Sequence, residues 1–206
     1  IRIRDWSSDV CSSDLPLLLL PRQVIPRRLR EALWKFFLVW AGIGLVTVAF
    51  RLTPAWAESL PLPGWFTAFV AFCMRHGDFV SMLLACSHVY FSAVDRLGLR
   101  KARISAAIIL VASGILETVG TLSGIPFGSY TYTDAFGPRI GGVLPLAIPL
   151  AWFVVVAGAN LTLSQYWQGA SRAPLAIATG AFALFFDFLM EPFVYAIRGY
   201  WIWAGN

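Results

Sequence analysis

The sequence predicts an all-α, polytopic membrane bundle of five or six hydrophobic helices with a glycine-, proline- and aromatic-rich interfacial loop. Three observations carry that prediction. Hydrophobic residues make up 58% of the 206 and charged residues only 13%, roughly half the charged share of an average soluble domain. Mean hydropathy is +0.70, so a water-soluble fold would leave apolar surface that 16 basic and 11 acidic side chains cannot cover. Apolar windows near the ~20 residues needed to cross about 30 Å of hydrocarbon recur along the chain. The basic excess is read as membrane topology, because Lys and Arg gather on cytoplasmic loops, and not as a nucleic-acid footprint. The same composition excludes a disordered chain, a coiled coil and a disulfide-linked secreted scaffold.

Residues 1–15 stand apart. Asp5 to Leu15 reads DWSSDVCSSDL, polar and near-repetitive, and is set aside as a sequencing-adapter scar. That leaves Cys73 and Cys86, which in apolar surroundings read as small buried hydrophobes, not as a disulfide or metal pair. Residues 16–31 form a basic N-terminal segment, and 32–206 a single transmembrane domain, expected to be truncated at its C-terminus because the chain stops just after an aromatic run. The strong spans are Ala32 to Phe50, Phe79 to Val94, Ile104 to Leu122, Val143 to Tyr166 and Pro174 to Ile197. Leu62 to Met74 is apolar but only about 20 Å long at ~1.5 Å per residue. Preceded by Pro61 and interrupted by Pro63, it reads as a half-helix that does not cross, with His76 in a polar break after it. On that reading the basic clusters Arg22 to Lys35 and Arg96 to Arg103 share a side. Ten basic residues then face four, Arg2 and Arg4 discounted, which favours a cytoplasmic N-terminus in a prokaryotic inner membrane. If the segment crosses, the split is eight against six.

Ionisable residues inside such spans cost several kcal/mol and mark function. Glu117 shares a helical face with Gly114, Gly120, Thr121 and Gly124, a small-residue face suited to packing against other helices. Asp187 and Glu191, four apart in FFDFLMEP, lie on one face that continues a stripe of Ala176, Gly180 and Ala183. All three acids are expected to point inward, as catalytic groups or as protonated interhelical hydrogen bonders. His88 is open between a neutral histidine bonding across the bundle and a catalytic or ligand role, and Asn160 reads first as an interhelical hydrogen bonder. The connecting stretch Ser123 to Leu144, SGIPFGSYTYTDAFGPRIGGVL, breaks helix yet keeps Phe127, Tyr130, Tyr132 and Phe136. It is placed at the interface or folded back as a lid, with YTYT allowing a short hairpin.

The ordered series Glu117, Gly120, Ser123-Gly124, Pro126-Phe127-Gly128, Tyr130, Tyr132-Thr133, Gly137, Pro145, Ile148-Pro149, Trp152, Asp187, Pro192 and Tyr200-Trp201-Ile202-Trp203 resembles the carotenoid-biosynthesis membrane protein family, which includes γ-carotene 1′,2′-hydratases and bisanhydrobacterioruberin hydratases. The resemblance runs over roughly Leu110 to Trp203. It departs at Glu191, where an aspartate is expected before the proline, and in lacking the final span expected after the aromatic run.

The resemblance implies a hydro-lyase acting on the terminal 1′,2′ (ψ-end) double bond of an acyclic or monocyclic carotene held in the bilayer. It implies no cofactor and no metal, no nucleic-acid partner, and association with other carotenoid enzymes. Such chemistry needs a protonated carboxylic acid, walls that tolerate a carbocation, and a group that orients and deprotonates water. Neighbouring carboxylates in a low-dielectric setting do not both ionise at low cost, so Asp187 with Glu117 or Glu191 can divide into acid and base. The candidate catalytic residues are therefore Asp187 as proton donor with Glu117 and Glu191 as partners. The candidate substrate-binding residues are Phe127, Tyr130, Tyr132, Trp152, Trp201, Trp203, His88 and Asn160. Two other classes compete: a membrane prenyltransferase, whose paired acids four apart would hold magnesium, and a proton-coupled carrier relaying protons through the same acids.

Overall fold

A computed structural model of the chain describes residues 26–125, 128–169 and 171–204. The elements run α1 (Arg27–Ala49), α2 (Pro54–Glu58), α3 (Gly64–Leu97), α4 (Leu99–Ser123), β1 (Tyr130–Tyr132), β2 (Arg139–Ile140), β3 (Leu144–Pro145), α5 (Ala147–Tyr166), α6 (Arg172–Pro192) and β4 (Trp201–Trp203). A 3-10 turn (Asp134–Phe136) separates β1 from β2, and α6 continues into a π-helical turn (Phe193–Ile197). Five helices, all but α2, are long and apolar enough to cross a membrane. The chain is a membrane-spanning helical bundle.

Helix α5 is apolar on every side and takes the centre, packed against α3, α4 and α6. Its contacts set large side chains into small ones: Phe153, 1% exposed, nests with Ala106 of α4 and Ala157. Association of helices in lipid depends on such close packing, because lipid tails are as apolar as leucine and supply no hydrophobic drive. Large apolar side chains such as Ile108, Val111 and Ile115 face outward for the same reason. Helix α1 sits at the edge against α3, and no described residue of it is buried.

The expected half-helix Leu62 to Met74 is not a separate element. It is the first part of α3, a continuous 34-residue helix that runs through Arg75-His76-Gly77-Asp78, so His76 lies within a helix and not in a break. Those polar residues are matched across space: Arg75 pairs with Glu58 at 2.6 Å, Asp78 with Arg198, and the Trp40 indole N–H donates to the Gly77 carbonyl at 3.0 Å. At ~1.5 Å per residue α3 measures about 51 Å, more than the hydrocarbon it must cross. An Arg30–Asp95 ion pair joins the start of α1 to the end of α3, which puts the two basic clusters at one end of the bundle. Gly98, at φ +79°, makes the one-residue reversal into α4.

The opposite end carries the aromatic segments. α4 stops at Gly124, whose left-handed φ of +72° favours glycine and where a Cβ would lie 2.9 Å from the Ser129 hydroxyl. YTY does form a strand, but its partner is not the next segment: β1 pairs antiparallel with β4, in the register Tyr130 opposite Trp203 and Tyr132 opposite Trp201. The local hairpin is the shorter β2–β3 pair. The ends of the β1–β4 ribbon are tied by backbone bonds from Thr133 N to Tyr200 O (2.9 Å) and from Ala204 N to Ser129 O (2.8 Å).

Candidate active site

Side chains alternate across a strand, and here the alternation builds the site. Tyr130 and Tyr132 turn inward, each 6% exposed, while Thr131 between them is exposed. Opposite them Trp201 and Trp203 are half-buried and Ile202 is out. The ribbon thus lays four aromatic rings, each carrying a hydrogen-bond donor, over the ends of α4 and α6.

Beneath it lies Glu117, 8% exposed, on the buried face of α4 that also holds Gly120. Its Oε2 accepts from the Tyr130 hydroxyl at 2.9 Å and the Tyr132 hydroxyl at 2.8 Å. Its Oε1 accepts from the Trp152 indole N–H of α5 at 2.7 Å. Glu191 Oε1 accepts from the indoles of Trp201 and Trp203, both at 3.2 Å. Asp187, one turn earlier on α6, is exposed and is reached by no donor among the described residues. All three carboxyls, with Trp152 and the four ribbon aromatics, line a cavity of about 70 Å³. A second chamber of about 220 Å³ shares Glu117 and Asp187 with it and extends between apolar walls such as Met82, Phe186 and Val194 to Asp78 and Ser81 of α3.

The phenols are held as donors. Burial, reinforced by the negative neighbour Glu117, pushes the Tyr132 hydroxyl far above its ordinary range, and burial raises Tyr130 as well. Tyr200 closes one side: its ring stacks on Phe136 at 4.0 Å and lies 5.8 Å from the Arg198 guanidinium carbon. Burial raises it too, against the opposing effect of Arg198.

The structure therefore gathers Asp187, Glu117, Glu191, Tyr130, Tyr132, Trp152, Trp201 and Trp203 around one space. It does not bring the rest of the candidate residues there. His88 faces α1, stacked on Trp34 with ring centroids 4.4 Å apart, and its Nδ1 is buried without a partner among the described residues. Asn160 donates to Thr179 Oγ1 of α6 at 3.2 Å, an interhelical hydrogen bond away from both chambers. Asn160 thus fulfils its first reading as an interhelical hydrogen bonder and not the substrate-binding one, while His88 is drawn off by α1, a neighbour that local sequence does not reveal. Phe127 lies outside the described residues. Sequence reasoning passed over Asp78, which follows the apparent polar break, Ser81 within the span Phe79 to Val94, and Tyr200 and Arg198, whose signal was the aromatic run and a cation just beyond α6. Among the described residues no group of three or more His, Cys, Asp or Glu is placed to hold a metal ion.

Three carboxyls around one cavity, two of them held by oriented donors, at the end of an apolar chamber in a bundle of membrane-spanning helices define a polytopic membrane protein with a polar site among apolar walls. The profile of the family described as carotenoid biosynthesis protein matches residues 77–206, and this chain belongs to that family. It is also similar to a bisanhydrobacterioruberin hydratase of Haloarcula japonica, 31% identical over 138 residues, a match covering 66% of this chain and 45% of the relative. The chain thus spans less than half the length of that curated relative. No solved structure matches it.

Proposed function

We propose that this protein is a cofactor-independent carotenoid hydratase that adds water across the terminal 1′,2′ double bond of an acyclic or monocyclic carotene. The observation that supports it best is the unequal treatment of acids around one cavity: three donors converge on Glu117, two on Glu191 Oε1, and none on Asp187. Asp187 is the group free to give a proton, and Glu117 is held as an acceptor.

In this reading the dimethyl end of the carotene enters the 220 Å³ chamber. Asp187 transfers its proton to the less substituted alkene carbon, and the π pair forms the new C–H bond, leaving a tertiary cation. The faces of Trp152, Tyr132 and Trp201 and the negative Glu117 stabilise that cation. A water adds its lone pair to the cation and loses a proton to Glu191 or Glu117, which returns it to Asp187. Water is consumed and no electron changes hands. The distribution of basic residues favours a cytoplasmic N-terminus, which puts the acids in the outer half of the bilayer, taken here as a prokaryotic inner membrane. Association with other carotenoid enzymes would supply the substrate laterally.

The test is to express the full-length coding sequence in cells accumulating lycopene or γ-carotene and analyse the pigments by mass. A gain of one water with ring count unchanged is expected. Asp187→Asn, which no neighbouring donor depends on, should insert and fold normally yet lose ~10²–10⁴-fold of the activity, the usual weight of a general acid. Retained hydration in that variant defeats the assignment. Activity abolished by a chelator points to the prenyltransferase class, and substrate movement in vesicles without new pigment points to a carrier.

A further inference from the structure

The acid chamber is too small for its substrate. At roughly 30 Å³ per water-sized group, 220 Å³ holds about seven, enough for one branched end group and a water. A C40 carotene needs somewhere to lay its long conjugated shaft. A cavity of about 700 Å³ lies between α1 and α3, walled by apolar side chains including Val39, Ile43, Val46, Phe69 and Val70. It shares Asp78 and Ser81 with the acid chamber, so the two spaces meet at one turn of α3. At that junction Arg198 is occupied by Asp78 and by the Tyr200 hydroxyl, 3.3 Å from its Nε. Its charge is therefore neutralised beside an otherwise greasy passage. Above Trp40, which bridges to α3 through its bond to the Gly77 carbonyl, the α1 wall carries Gly44, where an added Cβ would meet nothing within 4 Å. The small residue there is what keeps the groove open.

We propose that the α1/α3 groove is the binding site for the carotenoid shaft, threaded past Asp78 and Ser81 so that only the terminal isoprene unit enters the acid chamber; this rests on the hydratase reading. α1 is then a substrate-length and shape selector laid against the catalytic helices, and most of the groove's wall precedes the family-matched segment that begins at Gly77.

The test fills the groove from a position that displaces nothing. Gly44→Phe and Gly44→Leu project into it, and both replace glycine in a helix interior with a better helix former. Gly180→Phe, also with nothing within 4 Å of an added Cβ but lining neither chamber nor groove, makes the same change on α6. Each full-length variant is given a C40 carotene and 2-methyl-2-nonene, a ten-carbon alkene with the same terminus, and its melting temperature is measured in detergent. The expected result is a fall of at least tenfold in the ratio of C40 to C10 hydration for Phe and a smaller fall for Leu at position 44. No change in the ratio is expected for Gly180→Phe, with all three melting no lower than the parent. An unchanged ratio in folded Gly44 variants overturns the proposal and assigns the groove to bilayer lipid, as does an equal fall in Gly180→Phe. If the parent hydrates neither alkene, the hydratase reading itself fails and takes the shaft assignment with it.

Discussion

Glu117 offers the sharpest separation of charge from architecture. Its two oxygens receive the Trp152 indole on one side and the Tyr130 and Tyr132 hydroxyls on the other. In Glu117→Gln the amide oxygen can stay on the indole, which only donates, while the amide NH₂ faces the two phenols, which rotate to accept. Every hydrogen bond survives and only the negative charge is lost. For a cation formed ~4 Å away at an effective dielectric of about 20, that charge is worth about 4 kcal/mol, or ~10³-fold in rate. Glu117→Ala instead strands buried donors at roughly 1–3 kcal/mol each, so it should lower the melting temperature as well as activity. The assay pairs pigment mass analysis in carotene-accumulating cells with thermal melting of the detergent-solubilised protein. A folded Glu117→Gln variant within tenfold of the parent would refute the electrostatic role. An Ala variant as stable as the parent would refute the hydrogen-bond account.

Three further outcomes follow from the geometry. Asp78 and Arg198 are each about a quarter exposed, so Asp78→Asn or Arg198→Met alone should lower thermal stability by stranding the partner charge. The double change Asp78→Met with Arg198→Met should recover more than half the loss; silent single variants would show that the pair holds nothing. The β1–β4 register puts Thr131 opposite Ile202. A Thr131→Cys, Ile202→Cys protein should therefore oxidise to a monomer-internal disulfide, detectable by mobility on a non-reducing gel, whereas Thr131→Cys with Phe193→Cys should not. Burial raises Tyr130, Tyr132 and Tyr200, so the folded protein keeps phenolic protons that the unfolded chain releases near pH 10. Their contribution to stability is whole below about pH 10 and is lost as pH rises further. Phenolate absorbance and melting followed together across alkaline pH check this, and titration of all tyrosines in one step near pH 10 would contradict it.

Much of the fold could be read along the chain, because a bilayer imposes local rules. Long apolar windows had to be helices, since no other open backbone satisfies its own hydrogen bonds in lipid. Ionisable residues within them were expected to face inward, which singled out Glu117, Asp187 and Glu191; Glu117 is buried and Glu191 half-buried, while Asp187 lines the cavity but stays exposed. The alternation in YTYT allowed a strand, but not its pairing with Trp201–Trp203, which turns the four aromatic rings toward the acids. Local pattern failed wherever a polar residue was satisfied from a distance. Arg75 to Asp78 looked like a break because Glu58, Trp40 and Arg198 are invisible from within that window. His88 stayed a candidate site residue because nothing nearby in sequence reveals Trp34, whereas Asn160, read first as an interhelical hydrogen bonder, is one, with Thr179 as its partner.

By itself, then, the sequence determined the membrane class, a bundle of five or six apolar helices and the family to which the chain belongs, all of which follow from composition, period and residue order. The tertiary structure alone decided that β1 closes on β4 some seventy residues away, that three donors fall on Glu117 while none reaches Asp187, and that a groove beside α1 shares Asp78 and Ser81 with the acid chamber. The physical reason is the range of the forces concerned. Hydrocarbon solvation acts on each residue where it stands in the chain, but a hydrogen bond or a shared cavity exists only once distant segments have been brought within a few ångströms.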